Sequence, residues 1–117
     1  MMPRTMKTIL WVGSSLDDLK RFPAQARRLA GFQLYLAQQG REPFDQKPMA
    51  SVGAGVYEIR VRTGREHRLF YLAKFAEGIY VLHAFEKKAQ RTATKDLELG
   101  RARYFEVLRH RRKPLRG

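Results

Sequence analysis

Arg60, Arg62, Arg65, Arg68, Lys87 and Lys88 lie close together in the chain, with Tyr57, Tyr71, Tyr80 and Phe85 interleaved among them. Arginine offers a planar fork to two phosphate oxygens. Lysine offers a point charge that loses its proton once its pKa is depressed, and aromatic rings stack on bases. Together these residue types make a chemistry of phosphate. RNA is cut without a metal when a 2′-hydroxyl is deprotonated and aligned with its own phosphodiester while preorganised cations hold the charge that develops. A non-catalytic RNA platform uses the same residue types. The plain alternative is that Arg60 and Arg62 solvate the outer face of a sheet and that Lys87 and Lys88 solvate a turn.

Other chemistries find little support. His67, His83 and His110 have neither the helical i, i+4 spacing nor the neighbouring carboxylates of a metal site, so no metal ligand is expected among them. His83 sits in an apolar run and reads first as a core or sheet-edge histidine. There is no glycine-rich phosphate loop ending in Lys-Ser/Thr and no GxSxG serine, which removes ATP-dependent and serine-hydrolase readings; no cofactor is expected. The few carboxylates lie beside basic residues, a poor match to a glycosidase pair. Without cysteine the chain has no disulfide framework and no thiolate nucleophile.

The charge balance points the same way. The 24 Lys and Arg against 11 Asp and Glu leave a formal charge of +13, whose self-repulsion opposes compaction unless a polyanion neutralises it. With 44% hydrophobic residues in 117, the chain reads as one folded domain, residues 1–117, with residues 1–6 and 109–117 as tails. The apolar patch Ile9 to Val12 is too short for a signal sequence or a membrane span, so a cytoplasmic location and no membrane partner are expected.

Elements that would position these residues follow from periodicity. Lys7 to Gly13 reads as a buried strand. Ser15 with Asp18 reads as the start of a short helix with Leu16, Leu19 and Phe22 on its stripe, stopped by Pro23. Pro23 can open a second helix, with Ala26, Leu29, Phe32 and Leu36 at helical spacing and Arg27, Arg28, Gln33 and Gln38 outward, ended by Gly40. A loop with an irregular edge strand near residues 47–52 precedes Val56 to Arg62, whose alternation puts Tyr57, Ile59 and Val61 on a core face and Glu58, Arg60 and Arg62 on a basic one. His67 to Phe75 returns antiparallel after a turn at residues 63–66, and Ile79 to Phe85 is apolar enough for the sheet centre. Leu97 to Leu108 reads as a final helix packing through Leu97, Tyr104, Phe105 and Leu108, weakened by Gly100. The whole is an α+β fold: an N-terminal strand, a helical hairpin, an antiparallel sheet of three to four further strands and a C-terminal helix.

Three segments in order, VYEIRVR from Val56, HRLFYLAK from His67 and IYVLHAFEKKAQRT from Ile79, carry a Y-E-I-R strand, an R-x-x-Y pair at Arg68 and Tyr71, and an H-x-F-x-K-K run from His83. In this order and spacing the chain from about Lys7 to Leu108 resembles the phage-derived Gp49-like branch of HigB toxins in the RelE/ParE superfamily. The resemblance implies a microbial-RNase-like fold and a type II toxin. Such a toxin enters the ribosomal A site, cleaves messenger RNA to a 2′,3′-cyclic phosphate without metal, and is neutralised by an antitoxin, often a helix-turn-helix protein. It aligns Arg60 with a basic residue on the strand that faces the scissile phosphate, Arg68 with the family's strand arginine and Lys88 with a cation after the last strand. Arg60, Arg68, Lys87 and Lys88 are therefore the catalytic candidates, with Arg62, Arg65, Tyr71, His83 and Phe85 as RNA-binding candidates. Glu58 stands where some RelE-type toxins use lysine, and no tyrosine matches their late catalytic one near Thr94, so Glu58, Lys87, His83 and Tyr71 all remain candidates for base and acid. Two other functions share these features: a non-catalytic binder of RNA or ribosome, and a ParE-like gyrase poison of the same fold.

Overall fold

The computed structural model describes residues 6–112. Its elements run β1 (Ile9–Trp11), α1 (Ser15–Lys20), α2 (Ala24–Gln38), β2 (Gln46–Pro48), β3 (Val56–Arg62), β4 (Glu66–Leu72), β5 (Ile79–Glu86) and α3 (Thr94–Arg112). The strands form one five-stranded sheet in the order β1-β5-β4-β3-β2, the mixed α+β arrangement expected from the sequence. β1 runs parallel to β5, and the remaining pairs are antiparallel. The N-terminal strand is shorter than the apolar run around it. The edge strand β2 ends at Pro48, whose missing N–H cannot continue a ladder.

Both faces of the sheet are covered, so the expectation of one core face and one solvated basic face is corrected. On the first face, Leu19 of α1, Phe22 just after it and Ala26, Ala30, Leu34 and Ala37 of α2 pack on Ile59, Val61, Leu69, Tyr71, Ile79 and Val81. On the second, Tyr104 and Val107 of α3 pack with Val52 on Val56, Phe70, Leu72, Leu82 and Phe85. The alternation of β3 was legible, but its second row is not a solvated row: Val56 and Glu58 lie under cover. Strands buried on both sides read as nearly continuous apolar runs, as β4 and β5 do.

α3 covers the second face closely because Gly100 lets it. A Cβ at Gly100 would stand 2.8 Å from Phe70 Cδ2 and 3.2 Å from Val52 Cγ1, so the glycine that weakens helix propensity is the contact point with the sheet. The helix passes through it and continues to Arg112, so residues 109–112, expected as tail, are helical. The expected tails at residues 1–5 and 113–117 lie outside the described residues. Within α3, Tyr104 packs as expected, Val107 takes the second buried position, and Phe105 faces outward.

α2 is rotated relative to the expected stripe. Phe32 is exposed and Gln33 is fully buried. The Gln33 amide donates to the Arg60 carbonyl oxygen at 3.0 Å and accepts from the Asp45 N–H at 3.0 Å, tying helix, strand and loop together. A buried amide with both ends satisfied sets the rotation, since leaving either backbone group unpaired would cost about 1–3 kcal/mol.

Candidate functional site

On the second sheet face, β2, β3 and β4 bring Lys47, Glu58, Arg68 and Phe70 into register: Lys47 stands opposite Glu58, Glu58 opposite Phe70, and Arg60 opposite Arg68. Directly opposite residues of antiparallel strands share a face. α3 covers the Phe70 end of this row and leaves the Glu58–Arg68 end open. There Lys47, Met49, Glu58, Arg68, Lys87, Gln90, Arg91, Thr92, Thr94 and Leu97 line a cavity of about 430 Å³. Thr94 and Leu97 come from the first turn of α3, and Lys87 to Thr92 from the connection after β5.

At the base of this cavity the Glu58 carboxylate is 1% exposed. Its Oε1 lies 3.5 Å from Arg68 Nε and 3.8 Å from Lys47 Nζ. Neither contact closes a hydrogen bond, and Glu58 Oε2 and Arg68 Nε have no hydrogen-bond partner. Arg68 is instead held from its other side: Nη2 lies 2.8 Å from Glu66 Oε1, and Nη1 donates to the His67 carbonyl oxygen at 3.1 Å. The hydrogen bond from Arg68 pulls the Glu66 carboxyl below its ordinary range. A carboxylate and a guanidinium thus stand side by side, buried and only loosely engaged. Lys87 Nζ donates to the Gln90 carbonyl oxygen at 2.6 Å, and its backbone N–H to the Glu66 carbonyl oxygen at 2.8 Å, which fixes the connection at the cavity wall.

A second cavity of about 370 Å³ adjoins the first, sharing Lys87 and Arg91 and adding Phe85, Lys88 and Lys95. Lys88 belongs to this neighbouring cavity. Of the sequence candidates, Arg68 and Lys87 meet in the first cavity and Lys88 stands next to it.

The others lie elsewhere. Arg60 is the cross-strand partner of Arg68, yet its Nε pairs with Asp45 Oδ1 at 2.9 Å, so the two guanidiniums engage different carboxylates. Arg62 pairs with Asp45 at 3.5 Å and Glu66 at 3.9 Å, and Arg65 with Glu86 at 3.6 Å, all toward the hairpin end. Tyr71 is on the opposite face among the α2 residues, its hydroxyl donating to Gln46 Oε1, and burial pushes its pKa up. Phe85 lines the second cavity beside Lys88, its ring stacking on His83 at 4.7 Å and meeting Phe70 edge-on at 5.1 Å. His83 Nε2 lies 2.8 Å from Asp96 Oδ1, joining β5 to α3, and burial, outweighing that carboxylate, depresses its pKa.

Sequence reasoning missed Lys47, Gln90, Arg91 and Thr92. Lys47 opens the irregular edge strand expected near residues 47–52, where nothing local marks it; only its register opposite Glu58 gives it a role. Gln90, Arg91 and Thr92 sit in an irregular connection with no periodicity to mark them.

No helix among the described residues is long and apolar enough to cross a membrane. No curated protein matches the chain. Residues 17–105, from α1 to the middle of α3 and including every residue of the cavity, match the family described as phage-derived protein Gp49-like (DUF891). The match spans well over half of the chain, and with the mixed sheet, the two covering helical layers and the cation-rimmed cavity it places the protein: it belongs to the Gp49-like phage-derived family, a RelE/HigB-like family of toxins.

Proposed function

We propose that the protein is the toxin of a type II toxin–antitoxin pair and acts as a metal-independent, ribosome-dependent messenger-RNA endoribonuclease in the cytoplasm. One observation carries this reading: a buried carboxylate, Glu58, at the base of a cavity walled by Lys47, Arg68, Lys87 and Arg91. A merely solvated basic face has no reason to bury an acid beneath its cations, because desolvating a carboxylate is costly unless its partners hold it closely. A base beneath phosphate-binding cations is what 2′-hydroxyl transesterification requires.

In this reading the scissile phosphate enters among Arg68, Lys87 and Arg91 and displaces the loose contact between Arg68 and Glu58. Glu58 takes the proton of the 2′-hydroxyl. The 2′-oxygen bonds to phosphorus, the bond to the 5′-oxygen breaks, and the leaving oxygen takes a proton from a neighbouring acid, a role assigned to Lys87 of the cavity wall. The products are a 2′,3′-cyclic phosphate and a 5′-hydroxyl end. Of the sequence candidates for proton transfer, Tyr71 is on the other face of the sheet and His83 is tied to Asp96, which leaves Glu58 and Lys87 in the cavity. The messenger positioned by the ribosomal A site supplies the in-line geometry.

The test is single-turnover cleavage on programmed ribosomes by wild type and Glu58→Gln. A rate lower by on the order of a hundredfold with unchanged ribosome affinity supports general-base catalysis. An unchanged rate removes Glu58 from the chemistry. Primer extension on cellular messages after induction separates the remaining classes: codon-registered cuts support the nuclease, arrest without cuts a non-catalytic ribosome binder, and DNA damage with intact messages a gyrase poison.

A further inference from the structure

The outer face of α2 exposes aromatic rings and a mid-helix glycine that the packing of the described residues does not require. Phe32 is 52% exposed and Tyr35 43%, and Phe44 from the following loop is 59% exposed with its ring centroid 6.2 Å from that of Phe32. Between Arg28 and Phe32 lies Gly31, in mid-helix and exposed, where an added Cβ would meet nothing within 4 Å. Glycine in a helix interior is destabilising relative to alanine, and no internal contact requires it here. Gly100 of α3, by contrast, has its reason in Phe70. A notch of this kind lets the backbone of another helix approach closely, with the aromatic rings as anchors beside it.

Charge selects the occupant. α2 contains Arg27 and Arg28 and no acidic residue, and Arg41 follows it; none of the three has an ion-pair partner among the described residues. In a chain of net charge +13, a second copy would bring the same arginines to the same face and be repelled. An acidic helix would be attracted.

We infer that the α2 face formed by Arg28, Gly31, Phe32, Tyr35 and Phe44 is the docking surface for an acidic amphipathic helix of a partner protein, with the helix crossing α2 at Gly31. The partner's apolar stripe covers Phe32 and Phe44, and its flanking carboxylates meet Arg27, Arg28 and Arg41. If the toxin reading above holds, the antitoxin is the protein that carries this helix. α2 and the cleavage cavity lie on opposite faces of the sheet, so the partner docks without filling the cavity.

The probe is a synthetic helical peptide of about 16 residues with a Leu/Ile stripe flanked by Glu, and a twin with Lys in place of Glu. Titration calorimetry on the full chain should show saturable micromolar binding of the acidic peptide alone. Binding should weaken at least tenfold in Gly31→Leu and in Phe32→Ala/Phe44→Ala, and stay unchanged in Arg109→Ala, an exposed position of α3 across the sheet. These positions are exposed, so the variants fold; Gly31→Ala should raise the melting temperature by about 3–5 °C. No saturable binding, equal binding of the two peptides, or binding unaltered by the α2 substitutions overturns the assignment. So does a dimer of the free protein in sedimentation that Gly31→Leu dissolves. Cleavage by a wild type that shows no saturable peptide binding fails the docking assignment alone, and peptide binding by a wild type that does not cleave fails the nuclease reading alone.

Discussion

Glu58 and Arg68 stand on adjacent strands with Oε1 and Nε 3.5 Å apart, both buried, and no hydrogen bond closes between them. Two opposite charges taken out of water normally engage each other closely, because only good geometry offsets their desolvation. Here the guanidinium is turned to Glu66 at 2.8 Å and to a backbone carbonyl, leaving the edge nearest Glu58 free. In the proposed reaction this arrangement would hold the cation for the scissile phosphate, and stability and catalysis would then be separable.

Removing one member of the pair should destabilise the fold, and removing both should not. Arg68→Ala leaves Glu58 with Lys47 alone at 3.8 Å and should cost about 3 kcal/mol, read as a lower urea midpoint. Glu58→Leu/Arg68→Met should fold with near-wild-type stability and show no cleavage on programmed ribosomes. On the folded fraction, Arg68→Ala should lower the saturating cleavage rate by on the order of a hundredfold while changing ribosome affinity little, and Arg68→Lys should recover part of it. An unaltered rate in Arg68→Ala would sink its catalytic assignment.

Acidification should weaken the fold through two histidines. Burial depresses the pKa of both His67 and His83 below the ordinary imidazole value. The unfolded chain therefore binds more protons than the folded one in the window below about pH 6.5, and stability falls as pH drops through it. Urea midpoints measured from about pH 7 to about pH 5 should decline, and decline less in His67→Gln/His83→Gln. A flat profile in wild type would contradict the burial argument.

Gly100→Ala should destabilise although alanine is the better helix former. The propensity gain of up to about 1 kcal/mol is outweighed by a Cβ 2.8 Å from the fully buried Phe70 ring, an overpacking that costs about 1–3 kcal/mol. Thermal unfolding should show a melting temperature lower by several degrees, with Gly100→Ala/Phe70→Leu recovering part of the loss.

Binding to ribosomes should weaken steeply with salt. With a net charge of +13, each phosphate neutralised releases counterions, and the logarithm of affinity should fall linearly with that of salt concentration. Lys87→Ala and Arg91→Ala should each reduce the slope by about one. Affinity that does not change between low and physiological salt would exclude electrostatic docking as the main contribution.

Local patterns determined most of the elements. The alternation of Val56–Arg62, the apolar runs around Leu69 and Val81 and the helical spacing after Pro23 are properties of neighbouring residues, and all formed where they stand. The composition carried the cations, and the order of segments carried the family. What the sequence by itself did not determine was which cations share a space. Arg60 and Arg68 are equivalent in pattern, and even in register they are partners, but Asp45 from a loop takes Arg60 and leaves Arg68 over Glu58. Glu58 reads as one residue of the outer row of β3 until the pairing of β2, β3 and β4 sets it in one cavity with Lys47 and Arg68; Lys47 reads as part of an irregular edge strand until β2 pairs with β3. Phe32 and Gln33 differ by one position on a helix, and only the backbone groups of Arg60 and Asp45 decide that the amide turns inward and the ring outward. Each of these outcomes depends on contacts between residues distant in the chain, whose energies no local periodicity encodes, and that is why the tertiary structure alone decided them.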